Sequence, residues 1–119
     1  MVAPLGLAPF VPSGGDFQGS RALFLALGFE ELWSADEYIG FRSGGAKFIL
    51  QNFNRAEFAS NLMIRLDVPD LDAWWAEVEG KHLDSHFPGF QIKPPTSFPW
   101  GRESHFIDLA GVCWHVGEP

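Results

Sequence analysis

The sequence predicts an α+β fold in which two tandem βαβββ modules form a curved mixed sheet around a cleft. Two apolar helices, each with an aspartate before it and a glycine at its end, lie at residues 16–28 and 70–80. A short apolar strand precedes each helix, and strands with a glycine-containing hairpin follow it. The 119 residues are expected to form one domain, residues 1–119, with module 1 at about 5–55 and module 2 at about 60–117. Two modules are needed because the sheet of one alone would leave a face uncovered.

Module 1 begins with a weak strand at Phe10–Pro12, which its proline restricts to a sheet edge. Asp16 is predicted to accept hydrogen bonds from the first helical turn, and Gly28 to end the helix in the left-handed conformation. The helix is apolar nearly all round, so both of its faces are expected to contact protein. Further strands are predicted at Glu31–Ser34, Tyr38–Arg42 and Ala46–Phe53, with a hairpin turn at Ser43-Gly44-Gly45.

Module 2 repeats this order from Asn61 onward. Residues 61–68 alternate between apolar and polar side chains, which predicts a half-buried strand. Asp70 is predicted to cap a second helix, and Gly80 to end it in the left-handed conformation. One face of this helix is apolar, formed by Leu71, Trp74, Trp75 and Val78. The last two strands are predicted at Ser104–Leu109 and Val112–Val116, joined around Ala110-Gly111.

The segment from His82 to Trp100 interrupts this order because it carries four of the nine prolines. Proline restricts the backbone, so a stiffened loop is predicted here. Its phenylalanines must pack on the fold. The loop either covers a sheet edge or forms one wall of a ligand cleft, and the sequence leaves both open.

Composition excludes several classes of function. The formal net charge is −7, from 8 basic and 15 acidic side chains, whereas nucleic-acid binding normally leaves a basic footprint. No apolar run approaches the roughly 18 residues that a membrane span needs. Cys113 is the single cysteine, so no intrachain disulfide is possible, and the segment Met1–Gly15 lacks the basic residues of a secretory signal. A cytoplasmic location is therefore expected.

Three motifs occur in order along the chain. They are Asp16-Phe17 with Ser20 and Leu27-Gly28-Phe29, then Leu66-Asp67-Val68-Pro69-Asp70-Leu71, then Trp100-Gly101 with Asp108 and Gly111. Together they resemble the vicinal oxygen chelate superfamily, which includes glyoxalases and bleomycin-resistance proteins. Val11-Pro12-Ser13 ahead of Asp16 resembles the bleomycin-resistance group in particular, although this chain has one extra glycine there.

The resemblance implies where a divalent metal ion would be held. Its ligands are commonly His or Gln at the start of each module and Glu near its end. The matching positions here are Pro9 or Phe10, Gln51, Met63 and His115. Only Gln51 and His115 are candidate ligands, and a divalent site needs three or four. We therefore expect neither a metal ion nor another cofactor.

The other nucleophilic or ligating side chains are few. His82 and His86 are four residues apart, but they lie between Gly80 and Pro88, where no helix is expected. His105 and His115 are predicted to be cross-strand neighbours on one hairpin. They are either a metal-binding pair or ordinary sheet histidines, one of which hydrogen-bonds a ligand or a backbone carbonyl. Cys113 is expected to be a buried hydrophobic residue.

Aromatic side chains make up 15% of the chain. The resemblance implies that flat rings of a drug are held between aromatic walls, for which Tyr38 and Trp100 are the matching residues. Trp33 and Phe53 are placed near the cleft, with core packing as the alternative for both. The predicted ligand-binding residues are Trp33, Asp36, Tyr38, Phe53, Trp100, His105 and His115, where Asp36 meets a cationic tail.

The function expected from this set is metal-independent binding and sequestration of a planar, cationic small molecule. The resemblance implies a bacterial antibiotic-resistance protein with a bleomycin-like ligand, acting as a homodimer with clefts at the subunit boundary. One alternative is a divalent-metal-dependent lyase, isomerase or thiol transferase of the same superfamily that uses Gln51 and His115. Another is an accessory domain that has kept no ligand.

Overall fold

The computed structural model describes residues 1–119 as two four-stranded mixed sheets with helices packed against them. This confirms the predicted α+β fold of two modules. The elements of module 1 are β1 (Phe10–Pro12), α1 (Phe17–Ala26), β2 (Glu30–Ser34), β3 (Tyr38–Ser43), β4 (Ala46–Gln51) and α2 (Ala56–Ala59). Those of module 2 are β5 (Met63–Asp67), α3 (Leu71–Gly80), α4 (Leu83–His86), β6 (Gln91–Phe98), β7 (Gly101–Ile107) and β8 (Cys113–Gly117). No helix is long and apolar enough to span a membrane.

The two sheets have the same topology. The strand order is β1-β4-β3-β2 in the first, here sheet A, and β5-β8-β7-β6 in the second, here sheet B. The first strand of each module pairs in parallel with the last one, and the other neighbours are antiparallel. Phe10–Pro12 lies at the edge of sheet A, as its proline predicts.

Both long helices begin at the predicted caps. The Asp16 carboxylate accepts the Gly19 N–H at 2.8 Å, and the Asp70 carboxylate accepts the Ala73 N–H at 3.0 Å. Gly28 ends α1 with a φ of +100°. The prediction for Gly80 is wrong, because α3 continues through this residue and the left-handed conformation falls on His82, with a φ of 50°.

The segment predicted as a stiffened loop contains a helix and a strand instead. His86 lies in α4, and its Nδ1–H donates a 2.9 Å hydrogen bond to the His82 carbonyl. The expectation of no helix here is therefore wrong. β6 pairs with β7 alone, and its register breaks between Lys93 and Thr96. The break coincides with Pro94 and Pro95, which have no N–H to donate, so this strand occurs only at the sheet edge. The short helix α2 has no counterpart among the elements predicted from the sequence.

One core joins the modules. Phe24 on α1 and Phe48 on β4 each contact Trp114 on β8, with ring centroids 5.4 and 5.3 Å apart. The inner faces of both sheets are therefore buried in a shared core, and both outer faces point away from it. Asp108 fixes the hairpin that carries Trp114: one carboxylate oxygen accepts the N–H groups of residues 110, 111 and 112, and the other accepts the indole N–H at 2.9 Å.

Candidate functional site

The outer face of sheet A carries exposed aromatic rings. Trp33 is paired with Gly40, and a Cβ added at Gly40 would lie 2.2 Å from Trp33 Nε1, so the indole lies directly over the glycine. Phe10 and Tyr38 meet edge to face with centroids 5.9 Å apart. The exposed fractions are 57% for Phe10, 46% for Trp33 and 37% for Tyr38. We refer to Phe10, Trp33 and Tyr38 together as the aromatic face of sheet A. The sequence places Trp33 and Tyr38 near the cleft, and the structure adds Phe10 to the same exposed face.

Strand alternation explains why these rings share a face. Ile39 and Phe41 on β3 are buried in the core, so Tyr38 and Gly40 point outward. Asp36 is exposed in the turn between β2 and β3, two residues from Tyr38. Phe53 lies beyond the end of β4 and stacks on Phe58 of α2, with centroids 6.0 Å apart.

The outer face of sheet B brings the two predicted histidines together. His105 on β7 pairs in register with His115 on β8, and their ring centroids are 4.3 Å apart. The prediction that they are cross-strand neighbours is confirmed. Next to His105, Phe98 stacks on both the imidazole and the indole of Trp100, at 5.2 and 5.0 Å. Trp100 is 66% exposed, so the indole at the end of this stack is accessible from solvent.

A buried carboxylate links the histidines. Glu103 is only 4% exposed, and one of its oxygens is 2.9 Å from His105 Nε2 and 3.1 Å from His115 Nδ1. Arg65 on β5 donates to the other oxygen. Burial alone would raise the pKa of Glu103, but hydrogen bonds from His105, His115 and Trp100 lower it to about 2.

Sequence reasoning did not single out Glu103, although a signal was present. Residues 103 and 105 are two apart on a strand, so their side chains share a face. The expectation that Cys113 is a buried core residue is wrong. Trp114 is buried while Cys113 is half-buried, and the thiol faces outward, 3.5 Å from His115 Nε2.

The metal positions implied by the superfamily carry few side chains that could ligate a metal ion. Phe10 has no donor atom, and the Met63 thioether is a poor ligand for hard or borderline divalent ions. Gln51 and His115 lie on different sheets. A separate set, Glu103, His105 and His115, has ligand atoms within 4.8 Å of one another. An ion held there would have to replace the hydrogen bonds that already join these side chains.

The cavities of the fold lie largely away from the predicted residues. A groove of about 680 Å³ runs between the modules beside Phe29, Trp74 and Lys81 and contains none of the predicted site residues. A smaller cavity of about 310 Å³ is bordered by Trp100, Glu103 and Arg65. The predicted binding residues therefore lie mainly on the two open sheet faces.

Comparison with solved structures places this geometry among known folds. The chain superposes on the bleomycin-binding protein of bleomycin-producing Streptomyces verticillus, solved with copper(II)-bleomycin, with a TM-score of 0.81 and 25% identity over 100% of this chain and 99% of that one. The chain has the fold of the vicinal oxygen chelate superfamily. The predicted resemblance is thus confirmed.

Other solved structures match the fold of the chain at lower identity. The bleomycin resistance determinant of transposon Tn5 gives a TM-score of 0.77 with 19% identity, covering 95% of this chain and 96% of that one. The fosfomycin resistance protein FosX of Listeria monocytogenes, solved with manganese(II) and sulfate, gives 0.71 with 15% identity, covering 99% and 91%. By sequence, no protein-family profile and no curated protein matches the chain.

Proposed function

We propose that this chain binds and sequesters a planar, cationic small molecule of the bleomycin class. The observation that carries the proposal is the aromatic face of sheet A, where Phe10, Trp33 and Tyr38 stay exposed although 17 other apolar residues are buried in the core. Exposed rings grouped on a pleated surface are typical of interaction sites. The solved relatives of the same fold bind bleomycin, which supports this ligand class.

The charge of the chain favours a cationic ligand. The formal net charge of −7 attracts cations over long distances. Asp36 and Glu37 are exposed immediately before Tyr38 and form no salt bridge, so they are free to meet a cationic tail while the rings hold its flat part. We include His105, His115 and Trp100 as the second half of the site, and Phe53 as a peripheral contact.

A second copy of the chain would complete the site. The aromatic face of sheet A and the Trp100 stack of sheet B both point away from the shared core, so neither covers the other within one chain. In a homodimer, the outer face of sheet A of one protomer would lie opposite that of sheet B of its partner. The fully exposed apolar side chains Val2, Leu5 and Leu7 also favour burial against another chain.

Binding would not require a metal ion of the protein's own. The superfamily positions offer only Gln51 and His115 as ligands, which is fewer than the three or four that a divalent site needs. Glu103 is already neutralised by Arg65 and hydrogen-bonded by both imidazoles. The lone cysteine and the absence of disulfides are compatible with a reducing bacterial cytoplasm, where we place this activity.

The direct test is a titration of metal-free bleomycin while tryptophan fluorescence is recorded, with and without EDTA. We expect saturable quenching at micromolar drug that is the same in both buffers. Sedimentation of the same samples should give the mass of a dimer. Absence of saturable quenching would contradict the proposal that bleomycin is the ligand. A monomer that binds the drug with full affinity would contradict the dimeric site.

A second candidate function is a divalent-metal-dependent lyase, isomerase or thiol transferase. It is favoured by the ligand atoms of Glu103, His105 and His115, which lie within 4.8 Å of one another, and by the manganese(II) in a relative of the same fold. Metal analysis of protein purified without chelator separates the two candidates. Near-stoichiometric metal, lost in the His105→Ala variant, would favour the enzyme.

A further inference from the structure

A groove of about 550 Å³ lies between an edge of sheet A and an edge of sheet B. On one side it is bordered by β5, the edge strand of sheet B. On the other side it is bordered by the start of β4, which β1 leaves uncovered because these two strands pair only from Ile49 onward. Trp33, Tyr38 and Trp100 do not line this groove, so it is separate from the proposed bleomycin site.

The inner wall of the groove is apolar. Strand alternation turns Phe48 of β4 and Ile64 and Leu66 of β5 toward the core, and Trp114 lies at the floor beside them. The volume falls within the roughly 300–1,000 Å³ of small-molecule sites, which are mostly apolar with a few polar groups at fixed places. The groove can therefore take up the apolar part of a small molecule.

The rim of the groove carries positive charge. Lys47 and Arg65 are the charged residues that line it, and no acidic residue does. Arg65 is already bonded to Glu103 and Asp67. Lys47 forms no salt bridge, and its cross-strand partner is Arg42, so two like charges lie side by side, which is unfavourable. An anion at Lys47 would relieve this repulsion.

We propose that this groove binds a free amphiphilic carboxylate, such as a medium-chain fatty acid, with its tail over Trp114 and its carboxylate at Lys47. The tail loses contact with water along the apolar wall. The carboxylate stays hydrated at the rim, where an ionised group does not pay the cost of burial. Asp67 and Glu77 line the adjoining groove of about 680 Å³, so they disfavour a carboxylate at that end.

The inference goes beyond the sequestration of a cationic drug and does not depend on it. The formal net charge of the chain is −7, which favours cations at long range. Binding of an anion therefore has to come from the local charge at this groove. That contrast gives the proposal a sharp test with probes of opposite charge.

The test is isothermal titration calorimetry with dodecanoate below its micellar concentration. We expect saturable binding, and roughly fourfold weaker binding for each methylene removed in undecanoate and decanoate. Dodecyltrimethylammonium has the same tail length and the opposite charge, and should bind more weakly than dodecanoate. Equal or tighter binding of the cation would overturn the proposal. Absence of saturable heat with dodecanoate would also overturn it and would leave a second copy of the chain as the occupant of the groove.

Lys47→Gln tests the position of the carboxylate. We expect the Kd for dodecanoate to rise about tenfold, because a hydrogen bond between charged groups is lost. Lys93→Gln is the matched control, since it removes the same charge from β6, on the far edge of sheet B, and should leave the Kd unchanged. Equal effects of the two variants would overturn the assignment to Lys47. The comparison of tail lengths and charges needs no variant.

The indole N–H signal of Trp114 tests the position of the tail. We expect dodecanoate to shift this signal in a ¹H–¹⁵N NMR spectrum, because Trp114 lies at the floor of the groove, while the signals of Trp33 and Trp100 stay in place. An unchanged Trp114 signal at saturating dodecanoate would overturn the proposal. The bleomycin titration uses a different ligand and different indoles, so either proposal can fail without the other.

Discussion

Replacing Gly40 by alanine displaces Trp33 without removing it. The new Cβ would lie 2.2 Å from Trp33 Nε1 and 2.5 Å from its Cε2, so the two groups cannot occupy these positions together. The clash involves the end of a side chain that is 46% exposed. We therefore expect the indole to swing outward while the backbone of β3 stays in place.

The cost to ligand binding follows from the loss of one aromatic contact. Stacking of one ring contributes about 0.5–1.5 kcal/mol beyond the area it buries. This corresponds to an increase of about two- to tenfold in the Kd for bleomycin. Isothermal titration calorimetry measures the Kd, and the tryptophan emission of the free variant should shift to longer wavelength as the indole becomes more exposed.

Gly80→Ala is the matched control, because no heavy atom lies within 4 Å of a Cβ at that position. Gly80 is the last residue of α3, so alanine there should leave the Kd unchanged and slightly raise the melting temperature. If Gly40→Ala shifts the emission but binds bleomycin as tightly as the wild type, then Trp33 does not contact the ligand and the reasoning about the aromatic face is wrong.

Three further predictions concern the second half of the site and the stability of the fold. Trp100→Ala removes the exposed end of the Phe98 stack and should raise the Kd for bleomycin about tenfold, or about 1.4 kcal/mol; an unchanged Kd in calorimetry would remove Trp100 from the site. The pKa of Glu103 is lowered from 4.5 to about 2, so its ionisation stabilises the folded state fully above about pH 4.5, and this contribution is lost as the pH falls toward 2. Urea midpoints of the wild type and Glu103→Gln should therefore converge between pH 4.5 and 2, and parallel curves would contradict the lowered pKa. Asp70→Ala should lower the free energy of unfolding by about 1 kcal/mol because the cap of α3 is lost, whereas Asp70→Asn keeps the capping oxygen and should cost little; equal losses in both variants would show that the cap hydrogen bond is not the cause.

Much of the fold could be predicted because local signals agree with the tertiary structure. Asp16 and Asp70 each precede an apolar helical stripe, and both cap as expected. The alternation of residues 61–68 predicts β5, since one face of this strand packs on the core. Gly80 misled the prediction because a glycine tolerates the left-handed conformation without requiring it.

The proline-rich segment could not be predicted as a strand from its own sequence. Pro94 and Pro95 argue against a central strand, and only the position of β6 at the sheet edge makes them acceptable. That position depends on pairing with β7, which local sequence does not reveal. Strand register also determines which residues of the candidate site could be predicted from the sequence. Counting from the hairpin glycine pairs His105 with His115 correctly. The two-residue spacing from His105 places Glu103 on the same face, but its burial and its contact with Arg65 depend on the tertiary structure.

The indole N–H signals of the five tryptophans test the central claim most directly, because each ring reports separately in a ¹H–¹⁵N NMR spectrum. The titration uses metal-free bleomycin in a buffer with EDTA. We predict saturable shifts for Trp33 and Trp100, while Trp114 stays fixed by its 2.9 Å hydrogen bond to Asp108. The account is contradicted if Trp33 and Trp100 do not respond to the drug, or respond only after a divalent metal is restored. Either spectrum would show that the aromatic face of sheet A and the Trp100 stack of sheet B do not bind the ligand without a metal ion.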